Sequence, residues 1–320
     1  MCALNDVEMT RIQSEASTTF RAKAWAMVRL SRPHMFVAGA LLYAIGVALA
    51  NAHARTVNMS LALSGLVAVF FGQISGQIAN DYWDRRGDDG SKRTLFSGGS
   101  GILAKGLLTS GTAFKGAIAS CSIAALLAVF ITFWFNTGIL TLPIILGGTF
   151  GGWLYSAEPV RLVSTGLGEA IVSGVVSFFP IMAGFYLQTG TLNFEVLAVC
   201  ILLAIFLFPV FLSVEFSDQD ADRSSGKTNL LVRMGLLITT RLYAGTMLFP
   251  YAALTAFVLA GWVARPAFAI FATLPIALLG VQRALELPRS ELKDAGFVTL
   301  TSMVVFVMTM ALMLFSVVAN

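Results

Sequence analysis

Asn80-Asp81-Tyr82-Trp83-Asp84-Arg85-Arg86-Gly87-Asp88-Asp89 follows, without a break, an apolar run that begins near residue 59. About 20 apolar residues are what a helix needs to cross the hydrocarbon of a bilayer. Reading this stretch as a membrane helix that ends in carboxylates decides the fold. A second stretch repeats the pattern: Glu215-Phe216-Ser217-Asp218-Gln219-Asp220-Ala221-Asp222 closes an apolar run that starts near residue 195. Together the two clusters hold eight of the seventeen Asp and Glu residues. Carboxylates crowded at the end of a membrane helix repel one another and are costly to desolvate. They call for a positive partner, and a divalent metal is the first candidate.

The rest of the chain agrees with a membrane setting. It is 57% hydrophobic and 12% charged, with a mean hydropathy of +0.81; a soluble domain carries about twice that charge fraction. Nine runs are long enough to span as helices, roughly 35–52, 59–79, 113–135, 138–155, 168–187, 195–214, 240–263, 266–284 and 296–318. The expected fold is an all-α membrane protein, nine helices bundled around a central cavity. Residues 1–23 read as a disordered cytoplasmic tail without a cleavable signal, and 24–320 as one membrane domain. Residues 24–34 suit a short surface helix, with Trp25, Val28 and Leu30 beside Arg29 and Arg32.

Lysine and arginine set the orientation. With the N-terminus inside, nineteen of the 21 fall in cytoplasmic segments, and only Arg55 and Arg265 lie outside. Both acidic clusters then face the cytoplasm, where Mg2+ and phosphorylated metabolites are found. The net charge of +4 suits a lipid surface, and no basic block with interleaved aromatics points to nucleic acid. Cys2, Cys121 and Cys200 show no metal-like spacing, and His34 and His53 are too scattered for zinc.

Asn80, Asp84 and Asp88 are spaced by four, so on a helix they form a slanted stripe, each step turning about 40° and climbing about 6 Å. Asp218 and Asp222 form a second stripe, with Glu215 one turn earlier. The two aspartate pairs are both 134 residues apart, and each opens a basic, glycine-containing loop, an echo that suggests two related halves. Two facing rows of oxygen ligands suit Mg2+, which prefers a few carboxylates plus phosphate oxygens. The neighbouring Lys and Arg residues would meet the remaining phosphate charge. Asp81, Asp89 and Asp220 fall off the stripes and read as supporting or solvated residues. A third stretch, Tyr155-Ser156-Ala157-Glu158-Pro159-Val160-Arg161, ends the fourth run; Arg161 reads equally as a phosphate contact or a topology anchor, and Tyr155 as a site residue or an interface tyrosine. The 25 Phe residues would suit an isoprenoid tail and stabilise an allylic cation.

With these residues in view, the chain resembles the UbiA superfamily of intramembrane prenyltransferases, from about residue 28 to 318. Asn80-Asp81-Tyr82-Trp83-Asp84-x-x-x-Asp88 resembles its first aspartate motif. Glu215-Phe216-x-Asp218-x-x-Ala221-Asp222-x-x-x-Gly226-Lys227 and Val232-Arg233-Met234-Gly235 resemble its second, and Leu30-Ser31-Arg32-Pro33 its usual opening. Tyr155-Ser156, Gly166-Leu167-Gly168-Glu169 and Phe185-Tyr186-Leu187-Gln188-Thr189-Gly190 are similar to the branch of 1,4-dihydroxy-2-naphthoate prenyltransferases. The resemblance implies Mg2+ held by Asn80, Asp84, Asp88, Asp218 and Asp222, a polyprenyl diphosphate donor and an aromatic acceptor. Arg32, Lys92, Arg93, Lys105, Tyr155, Arg161 and Lys227 are the implied substrate contacts, with Asp84, Asp88, Asp218 and Asp222 catalytic through the metal. One position departs: the second motif commonly has Asn where this chain has Val214, which keeps an intramembrane terpene cyclase on the same scaffold as the alternative. A CDP-alcohol phosphotransferase is disfavoured because Asp89-Gly90 lacks the rest of that motif, and a transporter because its site would lie near the midplane.

Overall fold

The structure is a computed structural model that describes residues 20–88, 99–224, 226–290 and 292–319, without the side chains of 86–88. Among the described residues there is no strand. The helices are α1 (Phe20–Leu30), α2 (Phe36–Ala54), α3 (Met59–Asp88), α4 (Ser110–Trp134), α5 (Thr141–Ser156), α6 (Gly168–Thr189), α7 (Phe194–Ser224), α8 (Leu230–Met234), α9 (Leu236–Leu259), α10 (Leu274–Ser290) and α11 (Ala295–Val318). A 3-10 segment, Arg265–Thr273, leads into α10. Helices are the open-chain answer to a bilayer, because each satisfies its own backbone hydrogen bonds.

Eight of the nine expected spans have a counterpart, and the ninth, 138–155, forms a shorter helix. Eight segments are long and apolar enough to cross a membrane. The run at 138–155 forms α5, whose 16 residues reach only about 24 Å, against a hydrocarbon core of about 30 Å. Its start is set by a turn in which Asn136 and Gly138 take positive φ values of 52° and 93°. Pro159, three residues beyond its last residue, prevents a further turn. The tail reading also changes at its edge: α1 begins at Phe20, so residues 20–23 are helical, while 1–19 lie outside the described residues.

Helix α3 packs on α4 and α5, α6 on α2, α5 and α7, and α11 joins α10 and α7 back to α2. The α2–α6 crossing is close because glycines meet backbone there. A Cβ on Gly46 would lie 2.1 Å from the Ile181 carbonyl oxygen, and one on Gly184 2.3 Å from that of Tyr43. Small residues at such crossings replace the hydrophobic drive that lipid removes. The largest apolar core joins α2, α6, α7, α9, α10 and α11, around Phe185, Phe206, Phe216 and Tyr243. A smaller cluster of Ala26, Leu30, Ile78, Ala79 and Ile102 packs α1 and the α3–α4 loop beneath the first acidic motif. This arrangement brings the ends of α3 and α7 to one end of the bundle with little direct contact between them.

Candidate active site

Both acidic stripes continue their membrane helices: Asn80 and Asp84 ride on α3, and Asp218 and Asp222 on α7. Asp84 and Asp222 meet at Lys227. Its Nζ donates to Asp84 Oδ2 at 3.1 Å and pairs with Asp222 Oδ1 at 3.2 Å. Lys227 arrives there by local rules. Gly226 takes φ +73°, Gly226 N–H bonds Arg223 O, and Lys227 N–H bonds Asp222 O at 3.0 Å. That pattern is a glycine C-cap, which closes α7 and turns the next residue back over the helix end. A glycine followed by a lysine just after the second motif is its sequence signal.

Asn229 uses both ends of its amide. Its Oδ1 caps α8 by accepting from Val232 N–H at 3.0 Å, and its Nδ2 donates to Asp222 Oδ2 at 2.8 Å. Asp84 Oδ1 is buried and has no hydrogen-bond partner among the described residues. Asn80 Nδ2 donates to Ser156 Oγ at 2.5 Å, leaving its Oδ1 as the atom it can offer a cation. Tyr155 is half-buried near the end of α5. Asp218 is half-buried one turn before Asp222.

The other expected contacts lie on the loops between helices. Arg161 is half-buried in the α5–α6 loop with φ 39°. That loop is tied to the segment carrying Lys227, because the Ser164 carbonyl accepts from Thr228 Oγ1 and Arg233 Nη2. Lys105 is exposed in the α3–α4 loop. Arg32 does not stand free: it pairs with Asp81, which is 3% exposed and also accepts from Ser100 N–H at 3.0 Å. The side chain of Asp88, and Lys92, Arg93 and Asp89, lie outside the described residues. Among the described residues no three His, Cys, Asp or Glu side chains form a ready metal cage.

Asp81 is therefore a fastener between the N-terminal segment, α3 and the α3–α4 loop. Removing one member of a buried ion pair costs about 3–5 kcal/mol. Asp81→Ala is expected to lower the detergent melting temperature substantially while leaving the Mg2+ dependence of the remaining activity unchanged. A shifted Mg2+ optimum at unchanged stability would assign Asp81 to the metal instead.

Sequence reasoning missed three residues here: Asn229, Glu169 and Glu215 in its actual role. Glu215 stands beside Val214 in the second motif, but its Oε2 accepts the Leu231 N–H at 3.0 Å. Asn229 had a usable signal, an Asn immediately before the Leu230–Met234 turn. Glu169 stands in the quoted Gly166-Leu167-Gly168-Glu169 stretch, but nothing there marks its contact with Leu230.

The fold and the site define an integral, multi-pass membrane protein with paired aspartate helix ends drawn together around a cation. A sequence model of the UbiA prenyltransferase family matches residues 40–307. The chain belongs to that family and is a prenyltransferase. It is 25% identical over 248 residues to 1,4-dihydroxy-2-naphthoate octaprenyltransferase of Bacillus subtilis (strain 168), covering 77% of this chain and 78% of that one. It is 23% identical over 270 residues to UbiA prenyltransferase domain-containing protein 1 of Xenopus tropicalis, covering 78% and 76%. A UbiA homologue from Archaeoglobus fulgidus, solved with GPP and Mg2+ bound, superposes with a TM-score of 0.66 at 16% identity over 92% of this chain and all of that one. At that identity the likeness shows the fold.

Proposed function

We propose that this protein transfers a prenyl group from a polyprenyl diphosphate to an aromatic, quinone-precursor-like acceptor, with Mg2+, at the cytoplasmic face of the membrane. The observation that carries this reading is the Lys227 bridge between Asp84 and Asp222, since one cation already draws the two motif helices together. The donor set fits magnesium: hard carboxylate oxygens, one of them the buried, unpartnered Asp84 Oδ1. Asp84, Asp88, Asp218 and Asp222, with Asn80 Oδ1, would hold two Mg2+ ions. When bound, Mg2+ supplies Lewis-acid charge that stabilises diphosphate as it leaves.

The chain's own residues do the rest. Lys227 transfers its ammonium from the carboxylates to diphosphate oxygens. Arg32, Lys92, Arg93, Lys105 and Arg161 add positive charge from the surrounding loops, and Tyr155 presents a hydroxyl and a π face. The allylic C–O bond breaks with its electron pair going to diphosphate, and the acceptor ring carbon attacks and then loses its proton. An apolar bundle around the chain excludes water, which would otherwise capture the cation. The nine-helix arrangement around a cavity, with α5 as a short ninth span and the two halves related, belongs to this proposal. The naphthoate-prenylating relative favours an aromatic acceptor.

The test is product analysis. Purified protein with Mg2+ and a panel of prenyl diphosphates, with and without dihydroxynaphthoate-type acceptors, is expected to yield a prenylated aromatic by mass spectrometry. A cyclic hydrocarbon from donor alone would establish the cyclase instead. No diphosphate release in either case would overturn both.

A further inference from the structure

Two buried glutamates stand beside the site without belonging to it. Glu169, in the first turn of α6, is 2% exposed, and Glu215, on α7, is 8% exposed. They come from different helices and meet on the same short element. Glu169 Oε1 accepts from Leu230 N–H at 3.3 Å, and Glu215 Oε2 accepts from Leu231 N–H at 3.0 Å. These are the first two amides of α8, groups that no helix can satisfy from within.

What α8 carries explains why its placement matters. Asn229 caps it and reaches Asp222 with the other end of its amide. Lys227, two residues earlier, spans Asp84 and Asp222. The segment from Gly226 to Asn229 is thus pinned at one end by the C-cap of α7 and at the other by the glutamate-held start of α8.

We propose that Glu169 and Glu215 are positioning residues that seat α8 and thereby set Lys227 and Asn229 against the aspartates. The proposal rests on Lys227 being a diphosphate contact, as argued above. A buried glutamate is costly unless it is hydrogen-bonded, and two on adjacent amides imply a shared task. The carboxylates contribute as hydrogen-bond acceptors, so a glutamine at either position keeps the acceptor and alanine removes it.

The test measures binding of geranyl diphosphate in saturating Mg2+ by calorimetry, with the full-length protein in detergent. Glu169→Ala is expected to weaken binding about tenfold, Glu169→Gln less than twofold, and Glu215→Ala and Glu215→Gln to follow suit. In a Lys227→Met background, Glu169→Ala is expected to add less than a twofold further loss, because contacts acting through one residue are not additive. Hydrogen exchange at Leu230 and Leu231 is expected to rise in the alanine variants while α6 and α7 stay protected, which keeps the proposal testable where binding is weak. An equal loss from Glu169→Ala in both backgrounds, or glutamine as damaging as alanine, overturns the positioning role. If Lys227→Met alone binds like the wild type, the diphosphate assignment of Lys227 fails, and the proposal fails with it.

Discussion

Asp84→Asn and Asp218→Asn are each expected to reduce Mg2+-dependent diphosphate release by about 10²–10³ or more, in proteins that still fold and insert. Removing a single preorganised charge contact from a transition state has an effect of that order. Asparagine keeps the size and one carbonyl oxygen but loses the charge a hard divalent cation requires. Asp84 is the sharper case, since its Oδ1 is buried without a hydrogen-bond partner among the described residues. Asparagine there also weakens the bridge to Lys227, so the stability of the variant is measured beside its activity. Asp81, three residues earlier and paired with Arg32, is the internal control, because its loss falls on stability. Pyrophosphate release, measured with and without EDTA, checks the prediction. Full activity of either variant would remove it from the ligand set.

Lys227→Met is expected to destabilise the metal-free protein by about 3 kcal/mol, the cost of leaving buried charges without their partner. Lys227, Asp84 and Asp222 side chains are only 12%, 8% and 11% exposed, so water screens the change weakly. Added Mg2+ is expected to restore most of the lost stability, because it supplies the positive charge that methionine lacks. The pH dependence follows from the direction of the lysine's shift. Burial works against its charged form, but the Asp84 and Asp222 carboxylates outweigh burial and raise its pKa. A cation whose pKa rises on folding contributes in full below its ordinary range and loses that contribution only as pH climbs through the raised value. The difference between wild type and Lys227→Met is therefore expected to stay flat from about pH 6 to about pH 9. Melting curves in detergent across that range, with and without Mg2+, measure it. A variant as stable as the wild type without metal would show that the bridge carries no weight.

Much of this architecture is legible in the chain because it is written locally. The apolar runs ending in Asp84 and Asp222 become α3 and α7 because nothing between the apolar part and the acids breaks a helix. The four-residue spacing of Asn80 and Asp84, and of Asp218 and Asp222, survives as stripes on those helices. Helix α5 is shorter than its apolar run because apolarity marks a run, whereas turns and Pro159 decide how much of it is helix. The pairings that finish the site were hidden. Arg32 with Asp81, Lys227 with Asp84 and Glu169 with Leu230 join residues 49, 143 and 61 apart. Nothing in the sequence marks Asp81 as the partner of Arg32, or the Leu231 amide as that of Glu215. Charge and spacing tell what a side chain can bind, and only packing tells what it already holds.

The most direct measurement is calorimetric binding of geranyl diphosphate, with and without Mg2+, to the wild type, Asp84→Asn and Asp222→Asn. Two opposed rows that grip the diphosphate through magnesium require binding to depend on Mg2+ in the wild type and to fall at least tenfold in each variant, since neither row suffices alone. Wild-type affinity in either variant, or binding indifferent to Mg2+, would contradict the account.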